Sequence, residues 1–171
     1  METIGEDSNW PALPVGIQIH PNLFTAGQPS VAQLALLAKC GCRTVINLAL
    51  ATSTNALSDE AGVVRGLGME YLHLPVNFEQ PTVVDYLACE VELLARRQQK
   101  TLLHCALNWR VSSFMAVYRV RQEGWTPAAA WVAVRQVWEP DAAWKPFIEG
   151  LMRRKLVVPA STDSVRNEGE Q

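Results

Sequence analysis

The segment Thr101-Leu102-Leu103-His104-Cys105-Ala106-Leu107-Asn108-Trp109-Arg110-Val111-Ser112-Ser113 holds a strand, a turn and the start of a helix. Thr101 to His104 is short and apolar, as a strand covered on both faces must be. Val111 to Glu123 reads as a helix with Gly124 as its stop. Between them lies a loop that opens on a cysteine and ends near an arginine. Loops at the carboxyl ends of parallel strands are where α/β folds place their ligands.

Strand and helix signals alternate on the N-terminal side of this segment. Ile17 and Ile19 alternate with polar neighbours ahead of His20-Pro21-Asn22 and Leu23-Phe24-Thr25, which predicts a short hairpin. Ser30 to Gln33 has the form of a capping box and opens a helix through Leu34, Leu37 and Ala38 that Gly41 ends. Thr44 to Leu48 is a β-branched run expected of a buried strand. Residues 57–67 read as a second helix, and Met69 to Leu74 as a strand on which His73 alternates with inward-facing residues and is expected as a packed neutral histidine. Thr82 and Asp85 predict the cap of a third helix, with Val84, Leu87, Ala88, Val91, Leu94 and Ala95 as its apolar face. This alternation requires a mainly parallel sheet with helices on both faces.

Beyond the cysteine segment the chain reads as helical. Thr126-Pro127 is an N-cap followed by proline at the first helical position, predicting a helix to about Trp138. Pro140 breaks it, and Asp141 can cap a last helix through Trp144, Phe147, Ile148 and Leu151. Trp131, Val134 and Trp138, like Trp144, Phe147 and Leu151, recur at helical spacing. Most of the six tryptophans are therefore expected in core packing.

Composition narrows the function. The chain has 171 residues, 49% apolar and 19% charged, with a net charge of −2. One domain is expected, and the balance of charge leaves no footprint for nucleic acid. Arg153-Arg154-Lys155 reads as a solvated helix end. Residues 1–15 lack the pattern of a signal peptide, and no apolar stretch is long enough for a membrane span. Cys40, Cys42, Cys89 and Cys105 are expected as reduced thiols in a cytoplasmic protein. Cys40 and Cys42 bracket a helix end, with no second pair to complete a zinc site. The expected layout is an extension over 1–14, one domain over 15–158 and a disordered tail over 159–171.

The chemistry concentrates on the cysteine loop. The first-turn N–H groups of a helix, with the positive end of its dipole, form an anion site. Beside them backbone donors and a guanidinium favour thiolate over thiol at Cys105. Arg110 offers a planar fork for two phosphate oxygens. Thiolate, N–H cradle and arginine are what nucleophilic attack on a phosphate monoester needs. A plainer reading also fits: a small buried cysteine, and an arginine paired with a surface carboxylate.

Five stretches match a known family. Phe24-Thr25-Ala26-Gly27-Gln28-Pro29-Ser30, Val45-Ile46-Asn47-Leu48, Tyr71-Leu72-His73-Leu74-Pro75-Val76, His104 to Ser112 and Trp138-Glu139-Pro140 together resemble cysteine-dependent tyrosine and dual-specificity phosphatases. The likeness is to a bacterial branch, the eukaryotic-like tyrosine phosphatase family proteins, related to the phosphatase-like domain of beta-lactamase-hydrolase-like proteins. It covers roughly residues 15–152. It implies the tyrosine/dual-specificity phosphatase fold, an α/β domain with a mostly parallel sheet of four to five strands and helices on both faces.

By this resemblance Cys105 attacks phosphorus and forms a phosphocysteine, and Arg110 clamps the phosphoryl oxygens. Ala106, Leu107, Asn108, Trp109, Arg110 and Val111 bind the phosphate. Ser112 hydrogen-bonds the sulfur and eases its departure, and His104 supports the loop. No metal or organic cofactor is implied. The implied partner is a phosphorylated protein or a small phosphomonoester, with neither nucleic acid nor membrane; the oligomeric state is left open. Cys89 is a candidate for a protective disulfide with Cys105, as in some relatives of the superfamily.

Two departures bear on activity. Four residues separate Cys105 from Arg110, where the usual pattern has five, yet Ser112 keeps the usual spacing of seven from the cysteine. Either the loop is shorter with Arg110 in its role, or Val111 occupies the arginine's place. The bacterial branch shares the four-residue spacing, which favours the adapted loop. Asn108 replaces the usual mid-loop glycine and tolerates a left-handed backbone. The loop after the preceding strand, Pro75 to Pro81, lacks the family's acidic Asp. Asn77 stands in its place, and Glu79 is the candidate acid. Trp109 either lines the entrance or packs inward. Three functions remain: a phosphatase, a pseudophosphatase that binds phosphorylated ligands, and a rhodanese-like sulfurtransferase.

Overall fold

The computed structural model describes residues 10–154. Most of the 1–14 extension, Lys155 of the basic run, and the 159–171 tail lie outside the described residues. Along the chain run β1 (Ile17–His20), β2 (Leu23–Ala26), α1 (Val31–Lys39), β3 (Thr44–Asn47), α2 (Glu60–Gly66), β4 (Glu70–His73), α3 (Val83–Ala95), β5 (Thr101–His104), α4 (Trp109–Gln122), α5 (Pro127–Arg135) and α6 (Trp144–Arg153). The strands form one sheet in the order β1-β2-β5-β3-β4. Only the β1–β2 hairpin is antiparallel. The fold expected from the resemblance is thus present with five strands.

β5 lies at the centre, paired with β2 on one side and β3 on the other. Alternate residues of a strand point to opposite faces, and two cores follow from this. Leu103, Ile46 and Leu23 join the larger cluster with α3, α4, α5 and α6, whereas Leu102, Val45 and Phe24 join the cluster with α1 and α2. Leu102 and Leu103 are fully buried, each contributing about 1.5–3 kcal/mol. A central strand covered on both faces gives the loop after it a rigid base.

Local signals place most element ends where the sequence reading has them. Ser30 and Thr82 close complete capping boxes with Gln33 and Asp85. Gly41, at φ +86°, ends the turn after α1 in a conformation that suits glycine. Thr126 caps α5, and the Asp141 carboxylate accepts from the N–H groups of Ala143 and Trp144 ahead of α6. α5 stops at Arg135, earlier than the expected Trp138.

Three expectations are corrected. α2 starts at Glu60, not at residue 57, because the Asp59 carboxylate caps it by accepting from Gly62 N–H. Leu57 instead packs from the preceding loop. α3 buries Tyr86, Cys89, Glu90 and Leu93, leaving Val84 75% and Val91 38% exposed. Hydrophobic periodicity points to the wrong face because Glu90 is a core residue, paired through both oxygens with Arg121 at 2.8 and 3.0 Å. His73 is exposed on the edge strand rather than packed, and its Nε2 donates to the Ala49 carbonyl at 2.7 Å.

Candidate active site

Cys105 follows the last residue of β5 and is fully buried. Its N–H donates to the Ala26 carbonyl, extending the β2–β5 ladder by one bond. The chain then turns sharply. Asn108 adopts the left-handed conformation expected of it, at φ 65° and ψ 11°, and α4 begins at Trp109, two residues earlier than the sequence reading. The Asn108 amide donates to the Val15 carbonyl at 2.8 Å, which ties the turn to the chain before β1.

The loop is held from outside by its carbonyls. Ala106 O accepts from Gln28 N–H at 3.1 Å and from the Asn55 amide at 3.0 Å. A Cβ on Gly27 would sit 2.9 Å from the same oxygen, so only glycine lets the end of β2 approach this closely. Among the described residues no backbone acceptor takes the N–H groups of residues 106–111. The first helical bond of α4 is Ser112 N–H to Asn108 O. The loop therefore ties its Ala106 carbonyl to the scaffold and leaves its backbone N–H groups without a backbone acceptor.

Arg110, not Val111, faces the adjoining pocket. The pocket, of about 230 Å³, is lined by Phe78, Ala106, Leu107, Trp109 and Arg110. Val111 is fully buried in the larger core. The Arg110 guanidinium carbon lies 5.2 Å from the Phe78 ring centroid, and its Nε is buried without a hydrogen-bond partner. Trp109 lines the entrance, 37% exposed, and stacks on Trp138 at 5.0 Å with the rings 3° from parallel. Phe78 touches Trp109, Trp138 and Trp144, and its carbonyl accepts from Trp144 Nε1 at 2.8 Å. Trp138 and Trp144 thus pack the core and also brace the pocket wall, whereas Trp125 is exposed.

Other expected site residues stand as follows. The Ser112 hydroxyl donates to Trp109 O at 3.1 Å, so a bond to the sulfur would need it to rotate away. Asn77 shapes a turn, its side-chain oxygen accepting from Glu79 N–H at 3.0 Å. Glu79 is exposed and is not among the residues lining the pocket. Cys89 is a buried free thiol, pushed well up in pKa by burial and then by Glu90 and Glu92. Cys42 is likewise raised by burial, to about 11. Among the described residues no group of three or more His, Cys, Asp or Glu side chains is arranged to hold a metal ion.

Two residues at this site carry no motif of their own in the sequence: Phe78 stands in the Pro75–Pro81 loop beside the candidate acid, and Glu60 at an ordinary helix start. Its Oε1 lies 2.6 Å from His104 Nε2, with both side chains almost wholly buried. Burial alone would raise the Glu60 carboxyl. Its hydrogen bond and charge interaction with His104, with help from Gln28 and Tyr71, outweigh that and hold it below the ordinary range.

These features meet on a sheet of known type. The chain has the tyrosine/dual-specificity phosphatase fold. It is similar to a protein of Shewanella putrefaciens CN-32 solved as a "putative phosphatase (DUF442)": 27% identity, 81% of this chain and 91% of that chain, TM-score 0.73. Tk-PTP in its active form matches 82% of this chain and 98% of its own at 20% identity, with a TM-score of 0.69. P. aeruginosa TpbA, as a cysteine-to-serine variant in complex with pTyr, matches 81% of this chain and 82% of its own at 21% identity, with a TM-score of 0.64. No protein-family model and no curated protein matches the chain. Among the described residues no helix is long and apolar enough to cross a membrane.

Proposed function

We propose that the chain hydrolyses phosphate monoesters, with aryl phosphates such as phosphotyrosine as the favoured class. The observation that carries this reading is the loop over 106–111, whose N–H groups are free while its Ala106 carbonyl is tied to the scaffold. Such a cradle, with Arg110 and its unpartnered Nε beside it, fits three phosphoryl oxygens. The Cys105 thiolate forms a bond to phosphorus as the bond from phosphorus to the ester oxygen breaks. The leaving oxygen takes a proton from solvent or from Glu79. Water then attacks the phosphocysteine, the sulfur–phosphorus bond breaks, and inorganic phosphate and thiolate result. Phe78 and Trp109 supply an aromatic wall for a ring. With Asn77 committed to its turn, a phenolate that needs little protonation is the better leaving group.

A second reading is a module that binds phosphorylated ligands without turnover. It is favoured by the full burial of Cys105 and by a pocket lining without a carboxylic acid. One assay set separates the two. Wild type is expected to hydrolyse an aryl phosphate at least about a thousandfold faster than Cys105→Ser, on the scale of losing a nucleophile. Arg110→Ala is expected to fall by about a hundredfold or more, on the scale of losing one oxyanion donor. Equal rates in wild type and Cys105→Ser would remove the phosphatase reading. Vanadate binding retained by an inactive wild type would establish the module. Thiosulfate with cyanide serves as the parallel test for sulfur transfer.

A further inference from the structure

Behind the cysteine loop, away from the pocket, lies a polar cluster that the proposed chemistry does not use. His104 is fully buried, and its two ring nitrogens face two acceptors. Nδ1 lies 3.2 Å from the Cys105 carbonyl, which can only accept, so this nitrogen donates. Nε2 lies 2.6 Å from Glu60 Oε1. The second Glu60 oxygen accepts from the Asn47 amide at 2.9 Å and from the Tyr71 hydroxyl at 3.4 Å. Tyr71 OH in turn accepts from the same amide at 3.1 Å. With its carboxyl held below the ordinary range, Glu60 accepts at both oxygens, and Nε2 donates to Oε1.

The surrounding elements offer no rival partner. On β3, Asn47 is committed to Glu60. On β4, His73 is bonded to Ala49, and Arg65 of α2 sits over the Tyr71 ring at 6.0 Å. Asp59 caps α2 through Gly62. Gln28, after β2, borders Glu60. The titratable groups on Glu60 from these elements are therefore His104 and Tyr71, and Arg65 approaches only through the Tyr71 ring. Glu60 itself is the first residue of α2, where the helix dipole favours an anion.

We propose that Glu60 is a positioning residue for the Cys105 loop, acting through His104 to hold the Cys105 carbonyl. The role rests on the phosphatase reading for its consequence in turnover, but its geometry stands without it. A carboxylate that orients a functional imidazole is a general device. Here the ring grips the backbone of the residue that reacts, and a shift of that residue by about 1 Å is enough to cost about a hundredfold in rate.

The experiment reads both the thiol and the turnover. In Glu60→Gln the ring loses its anionic partner, so alkylation of Cys105 by iodoacetamide, followed by mass spectrometry, is expected to move its pH midpoint upward. The variant's kcat on an aryl phosphate is expected to fall about 10- to 100-fold with KM nearly unchanged. In a His104→Asn background, Glu60→Gln is expected to add no further change. An unmoved alkylation midpoint in folded Glu60→Gln would overturn the proposal, as would an equal added effect in the His104→Asn background. Nitrogen NMR of the wild-type ring needs no variant: two protonated nitrogens near neutral pH support the role, and a neutral ring sinks it. If the wild type fails to hydrolyse the aryl phosphate, the phosphatase reading falls, while the midpoint and the ring spectrum still decide the part played by Glu60.

Discussion

Two buried glutamates hold this molecule together at different places, and their partners differ. Glu90 on α3 takes the Arg121 guanidinium of α4 through both oxygens, with Tyr86 OH at 2.9 Å and Gln122 at 3.0 Å. Glu60 on α2 takes an imidazole. Each carboxyl lies below its ordinary pKa, because donated hydrogen bonds outweigh the burial that would raise it. Arginine never releases its proton at ordinary pH, so the Glu90 pair is a fixed staple between two helices. The Glu60 pair instead joins the start of α2 to the end of β5, where the His104 ring also donates to the Cys105 carbonyl. Similar acids in similar burial thus staple two helices in one place and, in the role proposed above, position the cysteine loop in the other.

Breaking the staple should produce the largest loss of stability. Arg121→Ala leaves Glu90 buried without its cation and is expected to cost about 3–5 kcal/mol in urea unfolding. Replacing Glu90 and Arg121 together by Leu and Met should cost much less than Arg121→Ala alone. Per folded molecule, activity on an aryl phosphate should stay within about twofold in either variant, on the view that the pair only packs helices. A large loss of kcat at full folding would erase the contrast between the two glutamates.

A smaller effect is expected in acid. Both carboxyls are lowered from the ordinary value of 4.5. The unfolded chain therefore binds more protons than the folded one in this region, and stability rises with pH there. The contribution is complete above about pH 4.5 and is lost as pH falls through the folded values. Unfolding midpoints measured between about pH 3 and 6 should show a shallower slope for the Leu–Met double variant than for wild type. An unchanged slope would mean that Glu90 contributes nothing to acid sensitivity.

The smallest effect is expected on the face of α3 that periodicity wrongly placed in the core. Val84→Lys should change stability by no more than about 0.5 kcal/mol, as at ordinary surface positions. A loss of more than about 2 kcal/mol would return Val84 to the core and undo the assignment of Glu90 as the buried residue.

The sequence made much of this legible, for reasons visible at particular residues. Ser30, Thr82 and Thr126 bond to backbone groups three residues away, so their caps can be read from local spacing. Asn108 announced its left-handed turn through residue type alone. The α3 face was lost because a charged side chain occupies a core position, and hydrophobic periodicity has no symbol for a satisfied glutamate. The exposure of His73 is not legible locally because an edge strand is open on its outer side, and edge or centre is decided by strand order.

By itself the sequence determined the order of elements, the buried central strand, and a cysteine loop that runs into a helix bearing Arg110. Those features depend on contacts within a few residues or on the period of one element. Only the tertiary structure decided which side chain enters the pocket, what walls it, and what stands behind the cysteine. Arg110 rather than Val111 lines that pocket because α4 begins at Trp109. Phe78 meets Trp144 across 66 positions, and Glu60 meets His104 across 44. Such pairings arise from the packing of helices on a twisted sheet, and no local pattern encodes them.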